Sequence, residues 1–137
     1  MVESTTCCTY TLLENGIHHF LLLENSTKAI AELVGIYEAA TIQHQQDFPG
    51  EEIRVMMEFD KKGTPPVMYA EKLYKDMMRR HPQLPKERIV YVHQFGTMMS
   101  IVTLVIPLFP SASKVTRKFY SREHKDEAIT WLLSDSD

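Results

Sequence analysis

The stretch Ile53-Arg54-Val55-Met56-Met57-Glu58-Phe59-Asp60, followed by Lys61-Lys62-Gly63 and Thr64-Pro65-Pro66, constrains the fold more than any other part of the chain. Its apolar run around Val55-Met56-Met57 suits a strand covered on both faces. Lys61-Lys62-Gly63 reads as a turn. Thr64 is suited to cap a helix, and Pro65 to its first position, where a missing N–H costs nothing. Strand, turn and helix start in this order predict a parallel sheet with crossover helices.

The remaining segments extend this pattern. Met1 to Thr6 is expected to fray. Cys7 to Leu13 and Ile17 to Leu23 read as two strands joined at Asn15-Gly16, the strongest short hairpin signal. A helix opens near Asn25-Ser26 and presents Ile30, Leu33, Val34 and Tyr37 on one face. It fades through Gln43-His44-Gln45-Gln46 and stops at Phe48-Pro49-Gly50. The helix from Thr64 carries Val67, Ala70, Leu73 or Tyr74, and Met77-Met78 inward, and Pro82 ends it. Arg88 to His93 is a strand, and 97–109 is expected to be a helix. Val115 to Tyr120 is the last strand. Ser121 caps a final helix that turns Ala128, Ile129, Leu132 and Leu133 inward. The expected fold is α/β, β-β-α-β-α-β-α-β-α: an N-terminal β-hairpin leading into a mostly parallel five-stranded sheet with four helices.

Length and charge exclude several classes of function. A chain of 137 residues is expected to be one domain that needs neither metal nor disulfide to fold. A net charge of −3 leaves no electrostatic footprint for nucleic acid. The two cysteines, Cys7 and Cys8, are adjacent, so on a strand they point apart and are badly placed to bridge each other. Sparse cysteine and the lack of a signal-peptide pattern predict a cytoplasmic protein. The longest apolar run, Met98 to Phe109, is too short to span a bilayer. The six histidines lack metal-ligand spacing, so neither metal nor cofactor is expected.

The chain closes with Lys114-Val115-Thr116-Arg117-Lys118-Phe119-Tyr120, then Ser121-Arg122-Glu123, then Glu127-Ala128-Ile129-Thr130-Trp131-Leu132. This succession of strand, polar turn and short helix ending E-A-x-x-W-L resembles the STAS-type fold of the sporulation anti-sigma-factor antagonists. With Ile17-His18-His19-Phe20 and the helix from Ser26, the chain is more closely similar to the stand-alone bacterial SpoIIAA-like proteins of unknown function. The resemblance runs from Ile17 to Ser134. It implies one STAS/SpoIIAA-like domain over residues 1–137 that acts as a non-enzymatic interaction or regulatory module. The phosphorylated antagonists carry Asp-Ser-x-Gly or Asp-Thr-x-Gly after the central strand. Here that place reads Asp60-Lys61-Lys62-Gly63-Thr64, so control by phosphorylation of Thr64 is not implied.

Two constellations are candidates for function. In open α/β sheets ligands bind beyond the carboxyl ends of the strands. That edge would carry Asp60, Lys61, Lys62, Gly63, Thr64, His93 and Gln94. Polar strand ends and a helix cap are the ordinary reading of these residues. The alternative is a small enzyme in which Asp60 orients His93 as a general base. The second constellation is the helix over 97–109, apolar all round, which one sheet cannot cover. Met99, Val102, Leu104, Val105, Leu108 and Phe109 are the expected interface, with a second copy in a homodimer, another protein, or a lipid or other hydrophobic ligand as its partner.

Overall fold

The computed structural model of the chain describes residues 2–4, 7–60, 66–93 and 115–134. Its strands are β1 (Val2–Ser4), β2 (Cys8–Leu12), β3 (His18–Leu22), β4 (Ile53–Phe59), β5 (Glu87–His93) and β6 (Val115–Ser121). They form one mixed sheet in which spatial order follows sequence order. β1, β2 and β3 are antiparallel neighbours, whereas β3, β4, β5 and β6 are parallel. The α/β class and the parallel run of the last four strands therefore match expectation.

Among the described residues the sheet has six strands rather than five. Val2–Ser4, expected to fray, pairs with β2 from Val2 opposite Thr11 to Ser4 opposite Thr9. Without it β2 would be an open edge with a row of unpaired backbone groups. Three α-helices are found among the described residues: α1 (Thr27–Asp47), α2 (Val67–Arg80) and α3 (Lys125–Leu133). The helix expected over 97–109, with its interface residues Met99, Val102, Leu104, Val105, Leu108 and Phe109, lies outside the described residues. So do Lys61, Lys62, Gly63, Thr64 and Gln94.

Local chemistry accounts for most boundaries. The β2–β3 hairpin closes through Gly16 N–H to the Leu13 carbonyl and Leu13 N–H to the Ile17 carbonyl. Gly16 sits at φ +87°, which completes a loop one residue longer than the tightest form. Ser26 caps α1, its hydroxyl accepting from the Ala29 N–H at 3.1 Å. α2 starts at Val67, later than Thr64. A proline turns the residue before it away from helical backbone, so Pro66 disfavours a start at Pro65. Before α3, the residues after Ser121 form a 3₁₀ turn, Arg122–His124, with no capping bond from the Ser121 side chain.

Strand alternation divides the core in two. On one face Tyr10, Phe20, Leu22, Val55, Phe59, Ile89 and Tyr91 pack beneath α1 and α2, which contribute Ala29, Ile30, Leu33, Tyr37, Tyr74 and Met77. On the other, Ile17, Met56, Val90 and Val92 pack beneath Ala128 and Leu132 of α3. Leu133, expected inward, is 38% exposed. Arg88 pins the end of α3: its guanidinium donates to the Trp131 carbonyl at 2.8 Å and the Ser134 carbonyl at 3.0 Å. The Arg88 guanidinium and the Lys118 ammonium both approach the Trp131 ring, at 5.2 and 4.9 Å from its centroid. No helix among the described residues is long and apolar enough to cross a membrane.

Candidate functional site

The carboxyl edge of the parallel strands was the expected site. Two of its expected residues, Asp60 and His93, are described. His93 ends β5 two residues after Tyr91, so it shares the α1–α2 face, where it is buried. Asp60 follows β4, and its carboxylate lies 3.3 Å from the Arg122 guanidinium, which also approaches Glu58. Glu58 is two residues from Met56 and shares the α3 face. The two side chains thus belong to opposite faces of the sheet. The ligand-binding crevice of an open α/β sheet arises where strand order reverses. Here the six strands run in unbroken sequence order.

The acid that organises this edge is Glu58, buried within β4. One of its oxygens meets His19 Nε2 at 2.9 Å and Lys125 Nζ at 3.0 Å, and the other lies 3.5 Å from Arg122. The His19 hydrogen bond holds its carboxyl down to about 2 against the opposing effect of burial, with Lys125 adding to the pull. The cluster ties β3, β4 and the start of α3 together, and its carboxylates already face cations.

At the opposite, amino edge of the parallel strands the molecule is concave. A cleft of about 960 Å³ opens between the hairpin, the second half of α1 and the approach to β4. Tyr10 and Leu12 of β2 and His18 of β3 form one wall, and Ala39, Ala40, Gln43, His44 and Asp47 of α1 form the other. The helix supplies them on two rows spaced by four residues, 39-43-47 and 40-44-48, which lie side by side on its surface. Alanines at the head of each row leave room that a larger side chain would fill.

The floor is aromatic. Tyr10 Oη and His18 Nδ1 lie 2.8 Å apart. The His18 ring meets His44 edge-on with centroids 5.5 Å apart, and His44 meets Phe48 at the same separation. His44 Nε2 donates to the Glu51 carbonyl at 3.2 Å, which fixes the tilt of its ring. Burial, reinforced by His44, pushes His18 down to about 4. The floor is therefore uncharged there at neutral pH. Phe48 is 52% exposed and Leu12 40%, so the apolar lining continues to the mouth.

The rim is acidic: Glu14, Asp47, Glu51 and Glu52 line the cleft, and Arg54 is the one lysine or arginine among the lining residues. Glu52 also pairs with Arg88 at 3.1 Å, and Asp47 accepts from the Gln43 amide at 3.0 Å. Among the described residues no three His, Cys, Asp or Glu side chains converge as a metal site. Cys7 and Cys8 are buried thiols, and burial raises Cys8 to about 12, which leaves it a poor nucleophile.

Sequence reasoning missed this cleft because three separate segments build it. The available signal was the pair of rows on α1, hidden in the polar run Gln43-His44-Gln45-Gln46 that reads as a fading helix. No protein-family model, curated protein or solved structure matches the chain.

Proposed function

We propose that this chain is a non-enzymatic binding module, one STAS-like domain over residues 1–137, that accepts its ligand or partner at the amino-edge cleft. The observation that carries this reading is a drug-sized concavity with aromatic walls, open to solvent at Phe48 and Leu12. The placement of Asp60 with Arg122, and of His93 on the other face, supports binding over acid–base chemistry by that pair. The test is a ligand-detected NMR screen of small aromatic fragments against the wild type and an Ala39→Trp variant that fills the cleft. Fragments that bind the wild type and are lost from the folded variant support the reading. Fragments retained equally by both would remove the cleft from it.

The pattern of 97–109 suggests a second surface, and the reading includes self-association or an apolar partner through Met99, Val102, Leu104, Val105, Leu108 and Phe109. The double change Leu104→Glu and Leu108→Glu should convert a sedimenting dimer into a folded monomer. A wild type that sediments as a monomer at every concentration would contradict the homodimer. Cysteine usage is the ground for assigning the module to the cytoplasm.

A further inference from the structure

We propose that the amino-edge cleft selects a flat organic cation: an aromatic or conjugated group bearing an amidinium, guanidinium or ammonium. The inference rests on the reading of this chain as a binding module and adds the chemistry of what is bound.

Three observations converge on that class. First, the lining is built of rings. Tyr10, His18, His44 and Phe48 follow one another across the floor, with successive centroids 5.9, 5.5 and 5.5 Å apart. Phenyl and phenol faces attract cations through their quadrupole, and of these rings the half-exposed Phe48 is the one open to a ligand, with Tyr10 buried behind it and the imidazoles supplying flat, stackable surface. Second, the rim is negative. Of the four carboxylates, Glu52 is neutralised by Arg88 from outside the lining; Glu14, Asp47 and Glu51 remain against Arg54, and Glu14 and Glu51 belong to no ion pair among the described residues. A neutral His18 adds no positive charge to oppose a cation entering beneath them. Third, the carboxylates are spread around the opening rather than gathered. No metal-sized set forms among the described residues. A distributed field of this kind suits a large cation with diffuse charge better than a metal ion, which needs several oxygens at one point. The volume of about 960 Å³ leaves space for a ligand of several rings.

The experiment is a titration of the full chain with three probes of similar shape: benzamidinium, benzyl alcohol and benzoate. Amide chemical shifts around Tyr10, Gly16, His44 and Phe48 are followed. The expected result is saturable binding of benzamidinium, at least tenfold tighter than the alcohol, no saturation with benzoate, and weakening as salt is raised. Phe48→Ala and Glu51→Gln, both at exposed positions, should each weaken benzamidinium severalfold while the rest of the amide spectrum stays in place. Equal binding of alcohol and benzamidinium, or preferential binding of benzoate at these residues, overturns the cation preference and leaves the binding module standing. Failure of all three probes to shift these residues overturns the inference and removes the cleft as the module's site.

Discussion

At the scale of single residues, the buried acids Glu58 and Glu87 behave in opposite ways because their surroundings differ. Glu58 has cationic partners, so its carboxyl lies below its usual value of 4.5, at about 2. The stability it contributes is complete above pH 4.5 and is lost as the pH falls through 2. Glu58→Gln leaves Lys125 facing an amide. It should cost about 1–2 kcal/mol in urea unfolding at neutral pH, because Lys125 and Arg122 are partly exposed and stay hydrated when the carboxylate is lost, and should flatten the acid limb of the stability curve. Glu87 is buried beneath the Tyr37 hydroxyl, which donates to it. Burial raises it to about 8, partly offset by Arg117. Its contribution is complete below pH 4.5 and is lost as the pH rises through 8. Glu87→Gln should therefore match the wild type at pH 5 and melt higher at pH 9, by about 3–8 °C for a gain of about 1–2 kcal/mol in a chain of this size. A variant less stable than wild type at pH 9 would contradict that assignment.

At the scale of elements, α1 and α3 are held by different means. α1 is capped by Ser26 and packs through Ile30, Leu33 and Tyr37, so Ser26→Ala should cost about 1 kcal/mol without altering the fold. α3 is short and depends on Ala128 and Leu132, both fully buried. Leu132→Ala should cost about 2–5 kcal/mol, with amide exchange accelerating first along α3. The hairpin, α1 and the β4 strand were legible because Asn15-Gly16, Ser26 and the run Ile53 to Phe59 each carry a local cause. The start of α2 is less legible because Thr64-Pro65 offers a cap and a first helical position, whereas Pro66 disfavours helical backbone in its predecessor and the helix starts at Val67. β1 was missed because three residues carry no periodicity, and their partner β2 supplies the reason they order. Glu58 was visible as an acid inside an apolar run. Its partners His19 and Lys125 lie 39 and 67 residues away along the chain, beyond any spacing rule.

At the scale of the whole molecule, the order of strands decides where a ligand can sit. A parallel sheet predicts a crevice at its carboxyl edge only where strand order reverses. The unbroken order here pairs with a carboxyl edge rich in ion pairs, and the concavity moves to the amino edge, between the hairpin and α1. Adjacent apolar runs announce a parallel sheet but not the order of its strands, so the candidate site was the least legible part of the chain. The most direct measurement is amide chemical-shift mapping with a mixture of small aromatic fragments on the wild-type chain. A binding module of the proposed kind gives shifts clustered at residues 10–18 and 39–54. Shifts clustered instead at Asp60, His93 and Arg122 would contradict it and return the site to the carboxyl edge.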